Sequence, residues 1–381
     1  MIKIRIFLIF LTFLIVGFVG LFASYYARGY QFNFKTFQFQ PNGILVLKSD
    51  PTGAEIYING NLKSATDTTI SLPPGTYDIT LKKDAFFSWT KRLVIEKEIV
   101  TQAQVSLFRS APSLTAITFT GSLAPIASDD YTRIAYGTTD GLYTLETYSL
   151  PIGFSKDPRQ ITDADLTGAT WQFSPSGRQI MLTSKNSVFL LDTSTFTPQA
   201  KLVNIASQKD ATIASWAKER QDKITASLSA LPSQISDELT RKTSQIAFSP
   251  YDTKILYTAS SAGILNEGLV APLPGSSTQK QERTITPGST YVYDIKEDRN
   301  FLVSNDSNQK LAWFPNSKNL VLAEDSKVVI MDYDGTNPQA VYSGSYIAPY
   351  AFPFGSTEKI LILTNLGGDS TPPNLYSLSL K

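Results

Sequence analysis

The sequence predicts a mainly β protein: an N-terminal transmembrane helix, a small β-sandwich-like module, then a β-propeller of about six blades carrying a helical insertion. Three observations predict it. One uncharged apolar run fills residues 6 to 23, brief strands separated by turn residues fill 43 to 108, and a strand, turn, strand motif recurs through the rest of the chain. With 381 residues there is room for two or three domains of about 100 to 200 residues each. The expected division is a cytoplasmic stub and anchor at 1–27, a linker at 28–42, the β module at 43–109 and the propeller at 113–381, with the insertion at 207–241.

Ile6 to Ala23 reads IFLIFLTFLIVGFVGLFA, interrupted only by Thr12. That approaches the ~20 residues a helix needs to cross about 30 Å of hydrocarbon. Lys3 and Arg5 precede the run and Tyr25 and Tyr26 follow it, which puts cations on the cytoplasmic side and amphipathic rings at the far headgroup layer. The helix is therefore expected to contact membrane lipid as a single-pass anchor, with the C-terminal domains outside the cytoplasm. A cleaved signal peptide competes with this reading. Its candidate sites, Leu21-Phe22-Ala23, Phe22-Ala23-Ser24 and Tyr25-Tyr26-Ala27, each begin with a large residue where cleavage wants a small one. Arg28 and Lys35 weaken the charge bias, so insertion is better marked than orientation.

Residues 28 to 42 alternate aromatic and polar residues, as a short strand or extended linker does. The module then runs as ILVLKS, AEIYING, TTISLP, TYDITLKK, TKRLVIEK and QAQVSLF. Asp50-Pro51-Thr52-Gly53, the hairpin turn Asn59-Gly60-Asn61 and Pro73-Pro74-Gly75 separate the earlier of these. On these residues the segment resembles a PEGA domain: Pro51-Thr52-Gly53-Ala54 stands at the signature, followed by Tyr57-Ile58-Asn59-Gly60 and Leu72-Pro73-Pro74-Gly75-Thr76-Tyr77. Ser64-Ala65-Thr66-Asp67 replaces the usual Gly-x-Thr-Pro, and Lys83-Asp84-Ala85-Phe86 replaces Lys-x-Gly-Tyr, so altered turns are expected there. The resemblance implies a non-catalytic envelope or surface-associated domain. Phe86, Phe87 and Trp89 are candidate partner-binding residues, as a sugar-binding or membrane-touching platform, against the plainer reading that they pack the core or cover a domain junction.

The recurring motif appears as TWQFSPSGRQIMLTS from Thr170, QIAFSPYDTKILYTAS from Gln245, KLAWFPNSKNLVLAED from Lys310, APYAFPFGSTEKILILTN from Ala348 and a degenerate LAPIASDDYTRIAYGT from Leu123. Third strands follow some copies, as in SVFLLDT, KVVIMDYDGTN and NLYSLSL. Tyr293 to Val303 reads as a shortened sixth copy, with five or seven blades as alternatives. The copies look like the WD40-like repeats of TolB-type propellers, with Val328 to Asn337 resembling that family's outer hairpin. Between the copies at Thr170 and Gln245, apolar residues at Ile213, Trp216, Ala217, Ile224, Leu228 and Leu231 predict a helix. Ser207-Gln208-Lys209-Asp210 offers a capping arrangement at its start, Pro232 its end, and a second short helix follows Ser233 through Leu239. Trp216 is the candidate partner-contact residue of this insertion; simple packing over a blade edge is the other reading.

The composition excludes much chemistry. There is no Cys and no His, which removes thiolate nucleophiles, imidazole bases and the ordinary ligands of zinc, copper and haem. With 34 Lys+Arg against 33 Asp+Glu there is no field to draw in a nucleic acid. Asp129, Asp130, Asp298, Asp332 and Asp334 could serve a glycosidase, but all sit in repeat turns, where Asp caps its own backbone. Asp332-Tyr333-Asp334-Gly335 opens like a calcium loop without the ligands that complete one. No phosphate-cradling loop or nucleophile elbow occurs. No catalytic residue, metal or cofactor is expected. The expected role is display: a membrane-anchored scaffold presenting a propeller to an unknown protein or cell-wall polymer. The rivals are a carbohydrate-active propeller, glycosidase or lectin, and a purely structural envelope spacer.

Overall fold

The computed structural model describes residues 2–27, 30–33, 38–147, 157–271, 273, 277–355, 358–368 and 371–381. The chain divides into two compact units, Met1–Leu107 with Pro272–Gln279, and Phe108–Ala271 with Lys280–Lys381.

The first unit opens with helix α1 (Ile2–Ala27). Its stretch Ile6–Ala27 is 22 residues long with none buried, enough by length and composition to cross a bilayer. Thr12, the one polar residue in its apolar run, returns its hydroxyl to Leu8 O at 2.8 Å within the helix. Strands β1 (Tyr30–Asn33) and β2 (Gln38–Pro41) form a hairpin in the segment expected as a linker, of which residues 28, 29 and 34–37 lie outside the described residues.

Seven strands follow: β3 (Gly43–Asp50), β4 (Glu55–Ile58), β5 (Asn61–Ala65), β6 (Thr68–Leu72), β7 (Gly75–Lys82), β8 (Trp89–Ile95) and β9 (Val100–Ser106). They make two sheets, ordered β6-β3-β9 and β5-β4-β7-β8, with β3 and β9 parallel. Alternate residues point into one core, including Leu45, Leu47, Ile56, Ile79, Leu81 and Ile95, which is the period of two acting on both sheets. Asn59 and Gly60 both have positive φ, 48° and 79°, as a two-residue turn between right-twisted strands requires. Strand β5 was not foreseen: all five of its residues are exposed, so NLKSA carries no apolar alternation.

The Pro-Thr-Gly-Ala signature has a structural cause. Gly53 takes φ +74°, Ala54 is fully buried, and Thr66 closes over both. Gly53 N donates to Thr66 O at 2.9 Å, Thr66 N to Ala54 O at 2.8 Å, and Ala54 N to the Thr66 hydroxyl at 2.9 Å. The second altered turn places Ala85 at φ 67°, in the left-handed region where the usual pattern has Gly.

The second unit is a β-propeller with five blades among the described residues. Blade 5 takes its outer strand from the start of the unit, β10 (Ser113–Ala116). Blade 1 holds β11 (Leu123–Ala127), β12 (Arg133–Thr138), β13 (Gly141–Glu146) and β14 (Arg159–Thr162), and blade 2 holds β15 (Ala169–Phe173), β16 (Gln179–Ser184) and β17 (Ser187–Asp192). Helices α2 (Lys209–Leu228) and α3 (Ser233–Lys242) come next. Blade 3 is β18 (Thr243–Phe248), β19 (Lys254–Ala259), β22 (Thr290–Asp294) and β23 (Arg299–Ser304), interrupted by the small pair β20 (Gly263–Ile264) and β21 (Thr284–Ile285). Blade 4 is β24 (Lys310–Trp313), β25 (Asn319–Ala323), β26 (Lys327–Asp332) and β27 (Gln339–Ser343). Blade 5 is β28 (Tyr346–Pro353), β29 (Lys359–Thr364) and β30 (Asn374–Ser379), and β30 pairs antiparallel with β10 to close the ring.

Among the described residues the count is five, the lower of the alternatives left beside six. Each of the five full repeat copies supplies the first two strands of one blade. The supposed sixth copy, Tyr293 to Val303, is the β22–β23 hairpin of blade 3, displaced along the sequence by the excursion that carries β20 and β21.

One turn explains the repeat. In blades 1, 2 and 3 a serine (Ser128, Ser174, Ser249) starts it, and the residue three further on, Tyr131, Gly177 or Asp252, is left-handed and donates its N–H back to the serine carbonyl. The serine hydroxyl accepts from the N–H five residues on: Arg133 at 3.0 Å, Gln179 at 3.1 Å and Lys254 at 3.1 Å. In blade 4, Phe314 starts the turn and the Asn316 carboxamide replaces the hydroxyl, accepting from Asn319 N at 3.1 Å. The motif therefore records hydrogen bonding that a tight turn must satisfy.

Cores between blades are built from the alternating faces of their middle strands. Ala135, Leu142 and Ile161 of blade 1 pack with Phe173, Ile180 and Leu182 of blade 2. Ile134, Tyr136 and Leu145 pack with Leu361, Leu363 and Leu375 of blade 5. Leu256 and Val292 of blade 3 pack with Trp313, Leu320 and Leu322 of blade 4, and β25 lies against β28. Between blades 2 and 3 the helices intervene. Trp216 of α2 packs on Met181 and Val188, while Leu228, Ile235 and Leu239 pack on Ile255, Tyr257 and Tyr293. The insertion is a wedge in the ring. The expected cap at Ser207 to Asp210 is absent: α2 is preceded by a 3-10 turn (Ala206–Gln208), and its cap residue is Gln208 with no side-chain bond.

Candidate functional site

The structure scatters the residues proposed for partner binding. Trp216 is only 8 % exposed, its indole committed to the blade 2 core, and Trp89 is 5 % exposed within the module core. Phe86 packs against that same core and Phe87 is half-buried. Core packing, the plainer reading, accounts for both tryptophans, because an indole this large is buried wherever a sheet face needs covering. In α1, Tyr25 and Tyr26 are exposed, and Tyr25 meets Tyr30 edge to face at 5.2 Å. The side chains of Lys3 and Arg5 lie outside the described residues.

The turn carboxylates are each committed to neighbours. Asp129 pairs with Arg220 at 2.7 Å, and Asp130 accepts from Ser128 and Thr132. Asp332 accepts from Asn337 and Asn319, and Asp334 from Thr336. Asp298 is the most enclosed: its two oxygens take Arg283 at 3.0 Å, the Tyr293 hydroxyl at 2.9 Å and the backbone N–H groups of Gly268 and Leu269. Burial, and then this bond to Asp298, pushes the Tyr293 phenol far up from its ordinary range. The arrangement ties the β20–β21 excursion to blade 3 and leaves Asp298 no lone pair for chemistry. Among the described residues no cluster of three or more Asp or Glu side chains could hold a metal ion.

What remains as a site is a groove of about 280 Å³ on blade 5, which no motif indicated. One wall is the β10–β11 connection with Phe119; the other is the β29–β30 loop with Leu366 and Pro372. Phe119 is 81 % exposed and Leu366 51 %. Both walls carry hydrogen bonds of their own. Asn365 donates to Gly368 O at 2.7 Å and Thr371 O at 2.9 Å, and accepts from the Thr371 hydroxyl at 3.0 Å. Asn374 clamps the opposite wall, accepting from the Thr118 hydroxyl and Gly121 N, both at 3.0 Å. Gly121 has φ +93°, and a Cβ there would stand 2.9 Å from Pro372 Cβ, so the two walls close only around glycine. The signal available in sequence was weak: a Phe in a Thr-Phe-Thr-Gly turn, where no alternation buries it.

Residues 42–110 match the family model described as PEGA domain. That stretch is similar to a PEGA domain. Two residues of its signature, Gly53 and Ala54, are those that Thr66 clamps. The sequence matches no curated protein. Among solved structures, the putative TolB from Agrobacterium tumefaciens aligns at 13 % identity over 66 % of this chain and 76 % of its own, with TM-score 0.23. TolB from Acinetobacter baumannii aligns at 13 % over 80 % and 60 %, with TM-score 0.23. A luciferin-regenerating enzyme aligns at 11 % over 71 % and 97 %, with TM-score 0.24. These likenesses are too distant to carry function; the propeller behind the PEGA domain is read from its own sheets and their closure.

Proposed function

We propose that this chain is a single-pass, membrane-anchored binding or scaffold protein of the cell envelope. In this reading it displays a PEGA domain and a propeller outside the cytoplasm and catalyses no reaction. The observation that carries it is the 22-residue apolar stretch Ile6–Ala27, none of it covered by protein, in the same compact unit as the PEGA domain. Lys3 and Arg5 before it favour a cytoplasmic N-terminus. The commitment of every turn carboxylate to a cation, an amide or a hydroxyl supports binding over chemistry. The partner is a protein or an envelope polymer; near-neutral charge argues against nucleic acid.

The absence of cysteine makes the test clean. A Ser64→Cys variant, on exposed strand β5, is treated in intact cells with a membrane-impermeant maleimide, and the mass of the membrane-bound chain is measured. Labelling without lysis and retention of residues 1–27 are expected. Labelling only after lysis would reverse the orientation, and loss of the N-terminal helix would make it a signal peptide.

A further inference from the structure

We propose that the groove between Phe119 and Leu366 on blade 5 is a binding site for an uncharged saccharide. This names a ligand class for the binding reading above and rests on it.

Three features select the class. First, none of the nine residues lining the groove is Lys, Arg, Asp or Glu, so an ionic ligand would be desolvated without a counter-charge. Second, Phe119 presents nearly its whole ring to solvent, which nothing in the packing of the propeller requires. An exposed aromatic face, negative at its centre, suits the polarised C–H face of a pyranose ring. Third, the rim keeps a hydroxyl in reserve for the ring's edge, while its amides and threonine hydroxyls are spent on the walls. Tyr376 lines the groove, and its hydroxyl makes no hydrogen bond among the described residues. The Asn365 and Asn374 networks hold the walls in place before any ligand arrives, so little ordering cost is left for binding.

A groove of this volume falls just below the ~300 to 1,000 Å³ typical of small-molecule sites, as suits a short ligand. A protein partner would instead seek a deep, fully desolvated pocket for an anchor side chain. A shallow trough with one stacking ring and a neutral polar rim fits one or two sugar units of a chain better.

The experiment uses the full chain in lipid nanodiscs, free of glycoside detergents, titrated with cellotetraose, maltotetraose and chitotetraose. Ligand-observed NMR and calorimetry read the binding. At least one saccharide is expected to bind with a Kd below about 1 mM. Phe119→Ala should weaken it about tenfold or more with the melting temperature unchanged, and Phe119→Tyr should keep it. Val203→Ala, at another exposed apolar position, should leave binding intact. The proposal is overturned if none of the three binds at about 10 mM, or if binding survives Phe119→Ala. It is also overturned if a neutral acetylated Leu-Phe-Ser peptide amide binds through Phe119 while the sugars do not. Because the purified chain is used, this result is independent of the labelling test of membrane topology, and either can fail alone.

Discussion

Trp216 and Leu228 stand about three turns apart on one helix and are buried in different cores, Trp216 with Met181 and Val188 of blade 2 and Leu228 with Ile255 and Tyr257 of blade 3. Helix α2 thereby joins two sheets that share no hydrophobic cluster of their own among the described residues. Trp216→Ala should cost about 3 to 5 kcal/mol and Leu228→Ala about 2 to 5. Chemical denaturation followed by circular dichroism measures both. A loss under about 1 kcal/mol for either would mean that the helix rides on the ring without holding it.

Asp298→Ala should be severe for a different reason. It leaves the Arg283 guanidinium, 12 % exposed, without its carboxylate and strips two backbone N–H groups of their acceptor. Removing one partner of such an enclosed pair costs about 3 to 5 kcal/mol. Limited proteolysis should then cut first within residues 265–283, where the excursion is tied down, before the blades are attacked.

Ala85→Gly should raise stability. At φ 67° the alanine Cβ crowds the backbone, a cost of about 1 to 2 kcal/mol that exceeds what glycine loses in chain entropy. A net gain of about 0.5 to 1 kcal/mol should appear as a higher unfolding temperature of the PEGA domain transition.

Acid should weaken the propeller through its capped turns. The Ser194 hydroxyl and then the Ser194 N–H hold the Asp192 carboxyl below its ordinary range. A depressed folded pKa adds stability above the unfolded value of about 3.9, and that stability is lost as pH falls through the folded value. Asp192→Asn should therefore melt slightly below the parent at pH 7, by no more than about 1 kcal/mol at this exposed site. The difference should close below about pH 4. Thermal melts at several pH values check it, and a gap that widens in acid would contradict the assignment.

Much of this architecture was legible because its causes are local. The Ser-Pro turns announce themselves, since a left-handed residue and a hydroxyl acceptor must recur wherever the first two strands of a blade meet. The PEGA signature was legible for the same reason: Gly53 and Ala54 have no freedom to vary beneath Thr66. Blade number was not, because the long excursion between β19 and β22 made one blade look like two. Strand β5 escaped because edge strands need no apolar pattern. The groove at Phe119 was illegible altogether: its walls approach through pairing between residues more than 250 positions apart, Thr118 with Asn374 and Leu375.

That pairing also fixes an order of events. Ser113–Ala116 is synthesised more than 250 residues before the strand it pairs with among the described residues, Asn374–Ser379. Until then blade 5 is unmade and blade 1 lacks the face that covers Ile134 and Tyr136. The apolar face of blade 1 therefore stays uncovered while the intervening blades are made, which places the burden of avoiding aggregation on that interval.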